Sequence, residues 1–466
     1  MKKHSYIISV MIIIAMMFSG CKTDFFPLEE NPYKETETTV SVSEEAPSYE
    51  EPEESFVPIE TIVEITSETA ETTEETTTPE TTTTPTETTT AETTTTTAET
   101  TTPAVTTTAS QTTTTTANIS LSGTSTQRKE IYGSYIYNNI LTEKEKQAYD
   151  IFEGAAVLLS NKADFSGISL TKAELERVVY AFDLYEPLYS YVDLENCMVR
   201  GRNGIVMSVD MAYYYDKTTH SKMSSAAVSE ADKILARITP SMSDYEILKL
   251  FHDEIITRCV YDKEAQNRDT MYGVLVERRA TCTGYAKTFQ YLCNRAGIEN
   301  TCVFGTAGGE GHMWNLVKLD GEWYAVDTTW DDTTVDELKD IIFYEYFLTN
   351  SSRMTNRRLF DYNYCDITPT GTKYYYYNVT GTYAETTADL APAIRNSLKL
   401  SIKEKKNYAQ IMCSDKNVAN AVADLANSGE LFYIITETEK ETGYTFDKTN
   451  MSYYTLENTN LILITY

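Results

Sequence analysis

The segment around Cys282 combines a thiol with the pattern of a buried helix. The apolar residues that follow Cys282 recur with helical spacing, and Gly297 supplies a C-terminal stop. Cys282 is therefore predicted to lie at or just before the first turn of a core helix. There the helix dipole and the free backbone N–H groups favour a thiolate, and they can stabilise an oxyanion on an attacked carbonyl. The predicted buried face consists of Tyr285, Ala286, Phe289, Leu292, Cys293 and Ala296.

Two strand-like runs downstream flank Asp320-Gly321, which is a strong signal for a type I′ hairpin. A two-residue turn pairs Leu319 with Glu322. On that register His312 and Asp327 point to the same face as diagonal neighbours, about 7–8 Å apart at Cα. The carboxylate would fix the tautomer of the imidazole, and the imidazole would deprotonate the thiol. We expect the helix that carries the cysteine to pack against that same face.

Three motifs occur in this order along the chain. The first is Cys282-Thr283-Gly284-Tyr285-Ala286, the second is Gly311-His312-Met313-Trp314-Asn315, and the third is Trp323-Tyr324-Ala325-Val326-Asp327-Thr328-Thr329-Trp330. They resemble the motifs of the transglutaminase-like family, and Tyr261-Asp262 and Tyr346-Phe347 occupy places where that family has the same pairs. The resemblance spans residues 261–350, under a quarter of the chain.

The resemblance implies an α+β fold with a papain-like transglutaminase core. It also implies Cys282 as the nucleophile, His312 as the general base and acid, and Asp327 as the residue that orients the histidine. Arg278-Arg279 departs from the pattern, because Gly-Lys is expected there. This departure could alter substrate access without touching the triad.

The N-terminus has the pattern of an export signal. Lys2 and Lys3 precede an apolar run from Tyr6 to Phe18, which is short for a membrane span. Cys21 follows Ser19-Gly20 in a sequence that resembles the lipobox of bacterial lipoproteins. We therefore expect Cys21 to be the site of lipid attachment, with the protein anchored at the extracellular face of a bacterial membrane. The alternative is plain secretion with a structural Cys21.

The segment after the export signal is acidic and of low complexity. From Lys22 to Gln127 it holds 21 acidic residues against two lysines, so it carries most of the formal charge of −30. Its few aromatic and aliphatic side chains cannot offset the entropy of ordering, so a disordered stalk rich in Thr, Glu and Pro is predicted. No basic stripe follows, which argues against nucleic acid as a partner.

These observations predict five segments. Residues 1–20 form the lipoprotein signal peptide, 21–127 the stalk, 128–258 a mainly helical region, 259–350 the catalytic core and 351–466 a small C-terminal α+β module. Three capping boxes mark helix starts in the helical region, and Asn203-Gly204 marks one hairpin. The capping boxes begin at Thr142, Thr171 and Ser243.

Several other residues receive a structural interpretation. Tyr272 is a candidate oxyanion donor but is at least as consistent with a packed aromatic. His252-Asp253 is interpreted as a satisfied helical pair, Trp314 as core, and Asn315 as facing away from His312. Tyr374–Tyr377 are interpreted as a half-buried strand. The six cysteines that could pair match no disulfide or metal framework: Cys197, Cys259, Cys293, Cys302, Cys365 and Cys413.

The function that follows is a cell-surface cysteine acyl-transfer enzyme. It would act on protein or peptide amides through a thioester, by transamidation, proteolysis or deamidation, with cell-wall or surface proteins as candidate substrates. No metal or organic cofactor is required, and no calcium-binding loop is recognised. Two alternatives remain. One is a surface module that retains the site for recognition only, and the other is an adhesin that acts through its C-terminal module.

Overall fold

The computed structural model describes most of the chain from residue 135 onward. Side chains are described for residues 135–184, 187–307, 310–332, 338, 340–354, 365–448, 450–456 and 459–466, and the backbone alone for 6–9, 63–64, 185 and 358–360. Cys21 and nearly all of residues 1–127 lie outside this part. No helix in the described part is long and apolar enough to cross a membrane.

The first region combines helices with a sheet. The helices are α1 (Tyr135–Asn139), α2 (Glu143–Leu158), α3 (Lys172–Tyr185), α4 (Lys217–Leu235) and α5 (Asp244–Arg258). The strands are β1 (Tyr6–Ser9), β2 (Val63–Glu64), β3 (Lys162–Asp164), β4 (Leu170–Thr171), β5 (Met198–Arg202) and β6 (Ile205–Asp210). The sheet order is β1-β5-β6-β3, with β4 also paired to β6, whereas β2 joins a later sheet.

The local signals in this region are confirmed. The side-chain oxygens of Thr142 and Ser243 each accept the backbone N–H of the glutamate three residues on. In return, the carboxylate of that glutamate accepts the backbone N–H of the capping residue. Thr171 and Glu174 make the same pair of bonds at the start of α3. Asn203 and Gly204 both have positive φ in the β5–β6 hairpin. The strands β3 and β4 were not predicted.

The central region contains one long helix against a five-stranded sheet. Its elements are β7 (Val260–Tyr261), β8 (Arg279–Ala280), α6 (Cys282–Ala296), β9 (Asn300–Ala307), β10 (Glu310–Leu319), β11 (Glu322–Val326), β12 (Phe347–Thr349), α7 (Ser351–Met354) and β13 (Arg358–Phe360). The sheet order is β12-β11-β10-β9-β13, and a π-helical segment, Gly273–Glu277, precedes β8.

The helix α6 is buried on more than one side. Phe289 and Leu292 lie in the same hydrophobic cluster as Phe251 of α5. On another side, Lys287 forms an ion pair of 2.9 Å with Asp183 of α3, and both side chains are almost fully buried. An amphipathic pattern predicts one buried face, but here a polar pair extends the burial around the helix.

The last region is a second α/β layer. It contains α8 (Tyr376–Thr380), β14 (Tyr383–Ala384), α9 (Leu390–Glu404), β15 (Tyr408–Cys413), α10 (Lys416–Asn420), α11 (Val422–Asn427), α12 (Glu430–Thr442), β16 (Ser452–Thr455) and β17 (Leu461–Thr465). The sheet order is β14-β15-β17-β16-β2. Two helical stretches were predicted here and are present as α9 and as α10 with α11. The helix α12 was not predicted.

One departure from the predicted elements precedes this layer, and two short strands lie inside the segments predicted as stalk and export signal. Tyr374–Tyr377 do not form a strand, because α8 begins at Tyr376 and three of the four tyrosines are buried together. Val63–Glu64, inside the segment predicted as a disordered stalk, form a two-residue strand beside β16. Likewise Tyr6–Ser9, inside the predicted export signal, pair with β5.

Candidate active site

Cys282 is the first residue of α6, as predicted. The preceding Thr281 donates its hydroxyl to Asp269 rather than capping the helix. The first-turn N–H groups of α6 therefore keep the character of an anion site, since they have no acceptor within the helix itself. This is the environment in which a thiolate and an oxyanion are both favoured.

Close packing explains why the first motif has a glycine at position 284. A Cβ at this position would lie 2.4 Å from Arg268 O and 2.9 Å from Ala280 Cβ. Real Cβ atoms do not approach backbone so closely, so a side chain here would push the start of α6 away from the loop before it. The glycine thus fixes where Cys282 stands.

Exposure separates Cys282 from the other described cysteines. All seven are free thiols, and Cys282 is the one that is not buried. Burial raises the pKa of the Cys259 thiol to about 12, which keeps that sulfur protonated and inert. Among the described residues, Cys282 is therefore the thiol that a substrate can reach.

The β10–β11 hairpin has the predicted register. Leu319 pairs with Glu322 across a two-residue turn in which Asp320 and Gly321 have φ of 51° and 87°. His312 Nε2 and Asp327 Oδ2 are 2.7 Å apart. The register therefore brings the two side chains together on one face, and both are buried.

Asp327 is held at both carboxylate oxygens. Its Oδ1 accepts the backbone N–H groups of Thr329 and Trp330, each at 3.1 Å, while Oδ2 faces His312. Hydrogen bonds from several donors stabilise a carboxylate in its charged form and fix its plane. Asp327 can therefore serve as a rigid, charged partner for the imidazole.

The electrostatics of His312 depend on two opposing effects. Burial lowers the pKa of the imidazole, and this is the largest single influence, but the Asp327 carboxylate and the Cys282 side chain together outweigh it. Both partners act through charge and through a hydrogen bond, and they raise the pKa of His312 from 6.5 to about 9. An imidazolium beside a thiolate is the arrangement that such a shift favours.

Aromatic rings enclose the imidazole. Trp314 stacks on His312 at 5.8 Å between ring centroids and is buried, as predicted for a core residue. Trp330 meets His312 edge-on at 6.0 Å and stays partly exposed. Trp330 was part of the third motif but received no role, although an aromatic ring three residues after the carboxylate was the available signal.

One expectation about packing is wrong. Asn315, which alternates to the face opposite His312, donates its side-chain amide to Ala286 O of α6 at 3.0 Å. The body of α6 therefore lies against the other face of β10, and only its first residue, Cys282, reaches His312. Strand pairing determines that His312 and Asp327 lie on the same face of the hairpin. Which face a helix covers depends instead on how well the side chains of each face pack against it.

Other candidates fall outside the triad. Tyr272 packs against the main hydrophobic cluster and lines a groove with His220, a groove whose lining does not include the three triad residues. Cys21 lies outside the described residues. In the described part, no group of three or more His, Cys, Asp or Glu side chains is arranged to hold a metal ion.

Two carboxylates near the site were not foreseen as partners. Asp331 is fully buried against His252, with Oδ2 and Nε2 3.1 Å apart, so His252 has a second partner besides its helical neighbour. Asp332 accepts the hydroxyl of Tyr285 at 2.6 Å, and burial raises the pKa of Asp332 to about 7. No local pattern could have found contacts between such distant segments.

Part of the chain, including the candidate site, is similar to known proteins. Residues 232–328 match the family model described as the transglutaminase-like superfamily. Kyphoscoliosis peptidase of Mus musculus is 32% identical over 129 residues, which cover 23% of this chain and 20% of that protein. The protein of the same name from Homo sapiens is 27% identical over 165 residues, which cover 31% and 25%.

The solved structures include a TGase that is 18% identical, with a TM-score of 0.22 and coverage of 30% of this chain and 45% of that one. The chain spans between a fifth and a quarter of the length of the curated relatives it matches. The chain has a mixed helix and sheet fold, and the matched residues include Cys282, His312 and Asp327. The match to the transglutaminase-like superfamily model therefore covers all three residues of the candidate site.

Proposed function

We propose that this protein is a cell-surface cysteine acyl-transfer enzyme that acts on protein or peptide amides. The observation that carries the proposal is the juxtaposition of the accessible Cys282 with the buried His312–Asp327 pair at 2.7 Å. The alternatives are a surface module that keeps the site for recognition and an adhesin that uses its C-terminal module.

In the first half-reaction the thiolate of Cys282 attacks the carbonyl carbon of a carboxamide or peptide. Because Nε2 of His312 is held by Asp327, Nδ1 is the ring nitrogen left to exchange a proton with the thiol. Negative charge develops on the carbonyl oxygen, where the first-turn N–H groups of α6 can receive it. His312 then gives its proton to the departing nitrogen, so that ammonia or an amine leaves and a thioester forms.

In the second half-reaction the neutral imidazole of His312 accepts a proton from the acyl acceptor. A water molecule gives hydrolysis, and hence proteolysis or deamidation, while a lysine amine gives a cross-link. The acceptor attacks the thioester carbonyl and the thiolate of Cys282 is regenerated with the proton back on His312. The same three residues serve every outcome, so the acceptor determines the reaction.

The test uses the protein from residue 21 onward, incubated with surface proteins and an amine-tagged reporter and read by mass spectrometry. Tagged glutamine indicates transamidation, and new termini or deamidated glutamine indicate hydrolysis. Cys282→Ala should abolish every product, whereas Cys259→Ala, at a buried thiol, should retain them. Unmodified protein with the wild-type chain, together with no labelling of Cys282 by iodoacetamide, would favour a recognition module.

The cell-surface location rests on the N-terminal sequence alone. The basic start, the apolar run from Tyr6 to Phe18 and Cys21 after a Ser-Gly pair support a lipid anchor, and more than one acyl chain holds a protein firmly at a membrane. Cys21→Ala should give an uncleaved or freely secreted form in the producing cell, while Cys282→Ala should remain anchored. Continued partition of the Cys21 variant into the detergent phase would contradict the anchor.

A further inference from the structure

A second buried histidine–carboxylate pair lies behind the proposed active site. His252 on α5 and Asp331, just after the catalytic carboxylate, are both fully buried, and His252 Nε2 is 3.1 Å from Asp331 Oδ2. The other ring nitrogen, Nδ1, is 3.1 Å from Asp253 Oδ1. No step of the mechanism above uses His252, although placing two polar groups in the core is costly without full pairing.

Asp331 connects this pair to Asp327 through a closed ring of hydrogen bonds. The backbone N–H of Tyr346 donates to Asp331 Oδ1 at 2.9 Å. The carbonyl of Tyr346 accepts the N–H of Asp327 at 3.1 Å, and the carbonyl of Asp327 accepts the N–H of Asp331 at 3.2 Å. Asp331, which bonds His252, therefore contacts Tyr346 through its carboxylate and Asp327 through its own backbone N–H. Both contacts act on the backbone that sets the position of Asp327.

The charges around His252 favour a protonated ring. Both ring nitrogens face carboxyl groups: the pKa of Asp253 is lowered to about 2, so Asp253 is ionised, whereas burial raises the pKa of Asp331. An ionised carboxylate only accepts hydrogen bonds, so the bond to Asp253 requires a proton on Nδ1 of His252. Burial lowers the pKa of His252, but the hydrogen bonds and charges of Asp253 and Asp331 outweigh it and leave the pKa raised. The ring also stacks on Tyr344 at 5.2 Å, and Asp332 interacts with it electrostatically. A proton held on this ring keeps the Asp331 carboxylate charged and hydrogen-bonded to the Tyr346 N–H.

We propose that His252 is a positioning residue for Asp327. Through Asp331 and the backbone of Tyr346, it holds the segment after β11 so that the Asp327 carboxylate stays in the plane of the His312 ring. This inference rests on the proposed function of the triad. It differs from a purely structural role because it makes the chemistry of His312, and not only the stability of the fold, depend on a residue that does not touch His312.

The test compares His252→Gln and Asp331→Asn with His220→Gln. Glutamine at 252 can still bond Asp331 but carries no charge, and asparagine at 331 keeps an oxygen for the Tyr346 N–H. His220 is a suitable control because its ring bonds Ser224 and Leu188 O and contacts none of these groups. The chain has four histidines, so the imidazole signals of His312 can be assigned by substitution and titrated by NMR.

We expect His252→Gln and Asp331→Asn each to lower the apparent pKa of His312 by about one unit, which is about tenfold in its protonation equilibrium. The rate of Cys282 alkylation by iodoacetamide at pH 7 should fall by about tenfold and its pH profile should shift in parallel, well below the unfolding temperature. His220→Gln should leave both unchanged. The double variant, which pairs two amides, should recover part of the loss.

An unchanged His312 titration and alkylation profile in either folded variant would overturn the proposal. If both single variants failed to fold, His252 would be a structural core residue and the proposal would again be wrong. The titration of His312 needs no turnover, so it separates the two hypotheses. A wild-type chain that forms no product would remove the proposed function while this readout still decided the role of His252.

Discussion

The molecule contains two buried histidine–aspartate pairs that differ in what lies on the open side of the ring. His312 has Asp327 on one nitrogen and the thiol of Cys282 near the ring, while His252 has a carboxylate on each nitrogen. A ring that has a carboxylate at each nitrogen can hold a proton, but it has no nucleophile beside it. The difference indicates that burial and pairing alone do not distinguish a candidate catalytic histidine, because an adjacent nucleophile is also required.

The strongest way to break this comparison is to change the carboxylate of the first pair. Asp327→Asn should lower the rate of Cys282 alkylation at neutral pH by about a hundredfold, since an amide supports the imidazolium less well and can select the wrong tautomer. Circular dichroism should show an intact fold. The matched control is Asp320→Asn in the turn of the same hairpin, where asparagine suits a positive φ and the rate should not change.

A result in which Asp320→Asn and Asp327→Asn react equally fast would mean that the buried carboxylate does not support the thiolate. The two histidine pairs would then be equivalent structural pairs.

The second prediction concerns stability against pH. The pKa of His312 is raised in the folded state to about 9 from 6.5, so the protonated ring stabilises the native state. This contribution is fully present below about pH 6.5 and is lost as the pH rises through about 9. Relative to His312→Gln, the wild type should therefore lose roughly 3 kcal/mol of unfolding free energy between these pH values.

His220 provides the control, because burial lowers the pKa of its ring. Its effect has the opposite sign: the stability it contributes is present above the unfolded pKa and is lost as the pH falls through the folded one. Above pH 6.5 the free energy of unfolding of His220→Gln, from urea unfolding curves, should therefore change with pH as that of the wild type does. A flat difference between wild type and His312→Gln would show that His312 is not protonated in the native state.

These two histidine pairs also show how far the sequence could predict the site. The Asp320-Gly321 turn is a local signal, and with the alternation of a strand it was enough to place His312 beside Asp327. The contact between His252 and Asp331 joins residues that are 79 positions apart, and neither has a neighbour whose type or spacing announces the other. Local patterns carry register, but only tertiary packing determines which distant side chains meet.

The same distinction accounts for the errors. Tyr374–Tyr377 have high strand propensity, but three of their rings are buried among other aromatics, and α8 begins within them. The helix α6 was expected on the His312 face of β10, yet Asn315 holds it on the other. In both cases the residues permitted two arrangements, and the burial available in the assembled core selected one.

A third prediction tests whether the position of α6 makes the first pair different from the second. Gly284→Ala places a methyl group 2.4 Å from Arg268 O, so the start of the helix must move. We expect a loss of about 2 kcal/mol in the free energy of unfolding and slower alkylation of Cys282. Gly154→Ala in α2 is the matched control, since its Cβ would meet no atom within 4 Å.

That control should raise stability by up to about 1 kcal/mol, because alanine is the better helix former. Equal stability of the two glycine variants would mean that Gly284 does not fix the position of Cys282.

The smallest expected effect concerns the departure from the family pattern. Arg278 has φ of 62° where the resembling motif has glycine, so Arg278→Gly should remove left-handed strain. Because glycine also makes the unfolded chain more flexible, the net gain should be at most about 1 kcal/mol in thermal or urea unfolding. Arg279→Gly is the contrasting neighbour, since it removes a bond of 2.5 Å to Asp262 and should lower stability slightly.

Alkylation of Cys282 should stay the same in the Arg278 variant if this position affects only the backbone. If Arg278→Gly increased the rate with bulky reagents, relative to the wild type, more than it increased the rate with iodoacetamide, the Arg278 side chain would restrict access to the thiol. The two histidine pairs would then differ in steric access as well as in electrostatics.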